Sequence, residues 1–339
     1  MKKFILSFII VFETIVIGIL LFQNISIKKN SSDVLNAGDP IKFDNSGSEA
    51  NKENTESAYD KSEGKSDKSK DTQEIIEEEN DAGTIKEKII IHDNGTQTVE
   101  YPYIDAPLNS YDFSNLTTDE KKKKMYYENN EPAAKFGIDI SQYQGNIDWN
   151  KVKNEGVEFA ILRAGYRGYE TGILKTDSKF IEYAQGAGSV DIGIGVYFYS
   201  QAINETEAAE EADYVLNLLN ENNISPDYPI VFDWEFVLDE DPARTDLLDK
   251  EMINKCCITF CEKIKAAGYM PMYYTNITNA LFKFNMPQLS GYGMWLAEYS
   301  KSTDFIYNFD MWQYTCSGLI DGIDSLVDLN LYFTKKSED

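Results

Sequence analysis

The spacing of apolar positions changes along the chain, and each spacing predicts a different kind of segment. From Phe4 to Phe22, FILSFIIVFETIVIGILLF is interrupted only by Ser7, Glu13, Thr14 and Gly18. Nineteen residues at ~1.5 Å each approach the ~30 Å hydrocarbon core of a bilayer, which predicts a transmembrane helix over 4–22 within an N-terminal segment, 1–30. The following QNISIKKN lacks a small-x-small cleavage site, so an uncleaved signal-anchor is favoured over a cleaved signal peptide. Lys28 and Lys29 nearly balance Lys2 and Lys3, and the flanking charges set no orientation. Residues 31–82 are rich in Ser, Asn, Asp, Glu, Lys and Gly and poor in aromatics. Such a stretch buries too little apolar surface to offset the entropy of ordering, and is expected to be a disordered acidic linker or stalk. Within 83–135, Ile89 to Ile91 run into Asp93-Asn94-Gly95 and then alternating Thr and Val, the pattern of a small β-hairpin, followed by linker. The run Lys121 to Lys124 reads as a solvated face of that linker.

From residue 136 onward, strand-like apolar runs alternate with amphipathic helical stretches. The runs occupy 136–141, 159–165, 192–200, 229–236, 270–276, 293–299, 310–315 and 327–333, and the helical stretches lie around 149–155, 176–187, 204–222, 245–267 and 277–283. Strand followed by helix, repeated, predicts parallel pairing with right-handed crossovers. The last three strands have linkers too short for full helices. The expected fold class of 136–339 is α/β, a TIM-like (β/α) barrel of eight strands that is regular early and has its late helices missing, preceded by the transmembrane segment and stalk. Chemistry in such barrels collects at the C-terminal ends of the strands. That rule nominates Asp139, Tyr197, Tyr199, Asp233 and Glu235, and from later strands Tyr274, Trp295, Glu298, Trp312, Gln313, Tyr314 and Asp328.

The sharpest local signal is Asp233-Trp234-Glu235. Residues i and i+2 of a strand point the same way at roughly 6.5–7 Å along the chain, so both carboxylates are expected to face the barrel mouth. Paired acids at such a distance suit glycosidic cleavage, one kept protonated to donate to the leaving oxygen and the other ionised to stabilise developing positive charge. A strand end carrying two solvated acids is the blander reading of D-x-E alone. The apolar run Pro229 to Phe232 leading into the pair, and the aromatics on neighbouring strands, argue against it.

Composition narrows the chemistry. The chain carries 57 Asp plus Glu against 32 Lys plus Arg, a formal charge of −25, and the region 136–339 alone has 32 acids and 15 bases. No nucleic-acid partner is expected, since phosphate neutralisation needs a basic face. The single histidine, His92, leaves no Ser-His-Asp triad, no zinc helix and no Cys-His pair in the main domain. Cys256, Cys257, Cys261 and Cys316 have no zinc-site spacing and are expected as buried free thiols rather than a disulfide to Cys316. The acidic stretch 239–251 lacks the EF-hand glycine and ligand order. Neither metal nor cofactor is expected. Trp149 and Trp234 read as structural, and Arg163 and Arg167 as paired within the protein.

Taken in order, GIDISQYQGNIDW (137–149), FAILRAGYRGYETG (159–172), GVYFYSQA (195–202), PIVFDWE (229–235), MYYTN (272–276), MWLAEY (294–299), MWQYT (311–315) and VDLNLYF (327–333) resemble the glycoside hydrolase family 25 lysozymes, the Chalaropsis-type N-acetylmuramidases. The resemblance implies an irregular, flattened α/β barrel that cuts the β-1,4 bond between N-acetylmuramic acid and N-acetylglucosamine, with peptidoglycan glycan strands as partner. Carried over by position, Glu235 matches the general acid, Asp233 its paired carboxylate, and Asp139 and Asp328 the other cleft acids. The implied mechanism is substrate assistance by the 2-acetamido group, a departure from two-carboxylate schemes. Tyr197, Tyr274, Trp295 and Gln313 are the candidate substrate contacts. Glu298 stands where many relatives carry a basic residue, which would change one cleft wall. Together with residues 4–22 in a lipid bilayer, these features imply a single-pass protein of the bacterial cell membrane with its catalytic domain facing the wall, or a secreted form after signal cleavage. The alternative function is a noncatalytic, membrane-anchored peptidoglycan-binding module.

Overall fold

The computed structural model describes residues 72–79, 85–93, 97–237 and 243–334. Strands β1 (Thr72–Glu79), β2 (Ile85–Asp93) and β3 (Gln97–Tyr101) pair as an antiparallel meander. The β2–β3 register sets His92 opposite Thr98 and Asp93 opposite Gln97. Residues 72–79, read from composition as linker, are thus a strand. Their Ile75-Ile76 pair is too short a signal to stand out from the acidic surroundings.

Three short strands follow, β4 (Leu116–Thr118), β5 (Lys124–Glu128) and β6 (Glu131–Pro132). The barrel is then built from β7 (Ala134–Ile140), β8 (Phe159–Arg167), β10 (Gly193–Tyr199), β11 (Ile230–Asp233), β12 (Pro271–Asn276), β13 (Gly293–Ala297), β14 (Met311–Gly318) and β15 (Val327–Phe333), with β9 (Leu174–Thr176) added antiparallel to β8. Neighbours from β7 to β14 run parallel. β15 runs antiparallel to both β14 and β7, and so closes the ring. Helices α1 (Trp149–Asn154), α2 (Phe180–Gly188), α3 (Glu205–Glu221), α4 (Lys250–Ala266), α5 (Ile277–Phe282) and α6 (Met286–Leu289) occupy the early crossovers.

Period-2 alternation divides each strand between two cores. Ile138, Leu162, Val196, Phe232, Leu296, Trp312 and Leu329 point outward into the larger core, while Phe159, Ile161, Val231, Met272, Trp295 and Met311 fill the barrel. Gly137 is required there, because a Cβ at this position would lie 2.4 Å from the Phe159 ring.

Among the described residues no helix covers the outer face of β14, β15 and β7, and a sheet face must be buried against something. The segment 101–132 supplies the cover. Tyr111 stacks on Phe333 at 4.2 Å, Tyr126 meets the same ring at 5.2 Å, and Phe113 approaches Trp312 at 5.9 Å. Of the four lysines read as a solvated face, Lys121 and Lys122 are exposed, Lys123 is half-buried and Lys124 is buried. Lys121 pairs with Glu155, Lys122 Nζ reaches Ser317, Lys123 lies over Phe136, and buried Lys124 lies over Trp312 and donates to the Lys301 carbonyl.

Two expectations about fold class are corrected. The final strand is reversed, because the link from Gly318 to Val327 is a turn-rich stretch and a parallel return needs a crossover of a dozen residues or more. The transmembrane helix is the second. Among the described residues no helix is long and apolar enough to cross a membrane. The longest, α3 and α4, have 17 residues each and carry charged faces. Residues 4–22 lie outside the described residues, as does most of the stalk. A single-pass location and a lipid bilayer as partner thus have no membrane-crossing helix to support them among the described residues.

Candidate active site at the barrel rim

The barrel interior grades from an apolar floor to a polar mouth. On β7, β8, β10, β11, β12 and β14 the inward series that begins with Gly137, Phe159, Gly195, Val231, Met272 and Met311 ends with Asp139, Arg163, Tyr197 and Tyr199, Asp233, Tyr274 and Gln313. Asp328 lies at the start of β15, and reaches the same rim because that strand is reversed: it stands directly opposite Asp139. Glu235 lies two residues beyond the end of β11, on the inward side set by Asp233.

Asp139 is buried and fixed from two sides. Gln313 Nε2 donates to its Oδ2 at 2.9 Å and Asn330 Nδ2 donates to the same oxygen at 2.7 Å. Gln313 Oε1 in turn accepts the hydroxyls of Tyr274 at 2.9 Å and Tyr299 at 3.0 Å, and Trp295 Nε1 donates to Asn330 Oδ1 at 2.8 Å. Burial raises the Asp139 carboxyl to about 6, against the pull of its hydrogen bonds, one of them from Asp328. Burial, followed by the Asp139 charge and the proton Asp328 donates to it, holds Asp328 well above the ordinary carboxylate range. The two acids form a dyad in which Asp328 donates its proton to Asp139, and burial together with the neighbouring charge favours keeping that proton.

The second pair differs. Asp233 is buried, its Oδ1 has no hydrogen-bond partner among the described residues, and burial plus the charges of Glu235 and Asp139 raise it well above the usual range, opposed by Arg163. Glu235 is half-buried, and burial followed by the Asp139 charge lifts it to about 7. A carboxylic acid of that kind is protonated near neutrality and open to a ligand, the condition for general-acid work. Arg163 Nε donates to buried Asp177 at 2.8 Å, with its guanidinium 5.0 Å from the exposed Tyr143 ring. Arg167 is bound deeper, to Glu211 at 2.7 Å.

The sequence-nominated contacts separate by exposure. Tyr197 is half-buried at the mouth and edges Trp295 at 6.3 Å. Tyr274, Gln313 and Trp295 are buried, and serve as the hydrogen-bonded floor under Asp139. Trp312 and Tyr314 face the outer core, as do Trp149 and Trp234. Glu298 turns toward Thr303 and Asp304, beside Tyr101, so its charge is spent on the side braced by the N-terminal segment. Tyr299, Asn330 and Gln201 were not nominated as contacts; Tyr299 is 47% exposed, with its hydroxyl anchored to Gln313. Tyr299 follows the nominated Glu298 directly, and its MWLAEY context was the available signal. The cysteines are free thiols, three buried and Cys316 partly exposed. Among the described residues no group of three His, Cys, Asp or Glu side chains could hold a metal ion.

The family model for glycosyl hydrolases family 25 matches residues 138–323, from β7 to the turn before β15. The chain belongs to that family. As a family 25 member it belongs to a group of glycoside hydrolases, and it is 29% identical over 203 residues to an autolytic lysozyme of Clostridium acetobutylicum, covering 57% of this chain and 54% of that protein. A shorter stretch of 78 residues is 32% identical to lysozyme M1 of Streptomyces globisporus, 23% of this chain and 24% of that one. Among solved structures, the modular autolysin LytC from Streptococcus pneumoniae aligns with a TM-score of 0.54 at 25% identity, covering 73% of this chain and 56% of LytC. LytC in complex with a synthetic peptidoglycan ligand aligns with a TM-score of 0.53, also at 25% identity, over 76% of this chain and 58% of that one. The chain thus spans about half the length of these larger relatives.

Proposed function

We propose that this protein hydrolyses peptidoglycan as a lysozyme, cutting the β-1,4 bond between N-acetylmuramic acid and N-acetylglucosamine. The observation that carries the reading is the pair at the end of β11: a half-buried Glu235 lifted to about 7 beside a buried Asp233 whose Oδ1 has no partner among the described residues. Glu235 donates its proton to the glycosidic oxygen. An acetamido N–H arriving at Asp233 Oδ1 supplies the missing hydrogen bond and lowers that group's proton affinity, leaving the charge on Asp233 and the proton on Glu235. The acetamido oxygen then attacks the anomeric carbon as the glycosidic C–O bond breaks and the protonated leaving sugar departs as its alcohol, with Asp233 and Tyr197 stabilising the oxazolinium-like cation. Glu235 next takes a proton from the water that opens it, so configuration is retained overall. Asp139 and Asp328 hold the opposite wall.

A peptidoglycan-binding role without turnover is the second reading, favoured by the likeness to LytC, a structure of which holds a synthetic peptidoglycan ligand. Digestion of purified peptidoglycan by the full chain, with analysis of new reducing ends, separates the two. Muramic acid ends support the hydrolase; glucosamine ends would make it a glucosaminidase, and binding with no new ends would favour the second reading.

A further inference from the structure

We propose that Gln201 is a positioning residue for Glu235, one that clamps the backbone carrying the proton donor to the segment beginning at Ala243. The inference rests on the reading of Glu235 as proton donor. Gln201 is fully buried just past the end of β10, and its carboxamide is shared three ways. Nε2 donates to the Glu235 carbonyl at 3.4 Å and to the Tyr199 hydroxyl at 3.5 Å, while Oε1 accepts from the hydroxyl of buried Thr245 at 2.8 Å. Only a primary amide offers two donors and an acceptor at one such point. Its donation to the Tyr199 oxygen leaves the Tyr199 O–H free to turn toward Glu235 and Asp233, the charges that most affect it after burial.

The main chain of Gln201 is held as firmly as its side chain. Its carbonyl accepts from Arg244 Nη1 at 3.3 Å, and Arg244 makes a two-pronged contact with Glu207 at 2.7 and 2.9 Å. Its N–H reaches Glu211 Oε1 at 3.4 Å, and Glu211 is bound by Arg167 and by Ser200 at 2.6 Å. Glu235, lying beyond the last residue of β11, has no ladder of its own to fix it. The amide takes the place of that ladder. Positional errors of about 1 Å at a reacting group can cost about 100-fold in rate.

The test uses the full chain and a soluble peptidoglycan fragment, with wild type, Glu235→Gln, Gln201→Leu and Thr245→Val measured together. Gln201→Leu is expected to lower kcat by about 10- to 100-fold with KM within about twofold. It should also move the basic limb of kcat/KM to lower pH, because a loosened Glu235 becomes wetter and loses part of the burial that keeps it protonated. The groups facing Glu235 are Asp139, Asp233, Asp328, Tyr199, Tyr274 and Tyr299, all left intact. Thr245→Val removes only the outer link, and should shift both readings the same way by less; it decides alone if Gln201→Leu does not fold. Wild-type kcat and an unmoved limb in a folded Gln201→Leu, or changes confined to KM or melting temperature, would overturn the inference. Undiminished turnover in Glu235→Gln would remove the reading beneath it, and the inference with it.

Discussion

If residues 101–132 replace the missing late helices, Tyr126 is the place to prove it. Its ring is 2% exposed and touches Tyr111, Phe113 and Phe333, with centroids 5.9, 6.4 and 5.2 Å away. The hydroxyl accepts from Asp112 N at 3.2 Å and donates to Glu128 at 3.3 Å. Removing a buried aromatic ring costs about 3–5 kcal/mol, the lost transfer energy plus the cavity left behind. The hydroxyl alone, with long bonds to partly exposed partners, is worth about 0.5–1 kcal/mol. Tyr126→Ala should therefore destabilise the whole barrel by about 3–5 kcal/mol and Tyr126→Phe by no more than about 1 kcal/mol, read as a fall in the urea midpoint at constant slope. For a domain of this size each kcal/mol is about 2–4 °C of melting temperature. A loss below about 1 kcal/mol for Tyr126→Ala, or a separate early transition, would refute the brace: the segment would then be an appendage that melts on its own.

Other outcomes follow from the site. The rate should fall as pH rises through about 7, since Glu235 must be protonated to act and is lifted to about that value; a flat profile from pH 5 to 9 would exclude it as the acid. Glu211→Ala should cost about 3–5 kcal/mol in a denaturation curve, because it strips buried Arg167 of its closest partner at 2.7 Å; a neutral result would mean that Glu207 and Glu210 carry that arginine. Tyr299→Ala should weaken binding of a glycan fragment by about 0.5–1.5 kcal/mol through loss of an exposed aromatic face, whereas Tyr299→Phe should preserve it; equal losses in both would point to the Gln313 link instead.

The strands were legible because each barrel strand is an apolar run bounded by turns, and the inward acids were legible because alternation carries the phase of Asp233 through to Glu235. The direction of β15 was not. A period-2 pattern is the same read either way, so Asp328 was nominated as if it lay at a strand end, when it is the start of a reversed strand that brings it to Asp139. The brace was invisible for a different reason: Tyr111, Phe113 and Tyr126 are scattered among charges, and only the outer face of β14 and β15 gives them something to cover. Trp295 illustrates the limit of residue type, since an aromatic that could stack on a sugar is instead buried and hydrogen-bonded to Asn330. Gln201 carries no charge and, although it lies within GVYFYSQA, nothing in that motif sets it apart; its part depends on contacts with Tyr199, Glu235 and Thr245 that only the fold brings together.

The most direct measurement of the central claim is turnover of a defined peptidoglycan fragment by Glu235→Gln and Asp233→Asn, each confirmed as folded by its melting curve. Acid–base groups supply about 10²–10⁴-fold, so each isosteric change should lower kcat by at least about 100-fold with KM little altered. If either variant keeps turnover within about tenfold of the wild type, the pair at the end of β11 does not perform the cleavage.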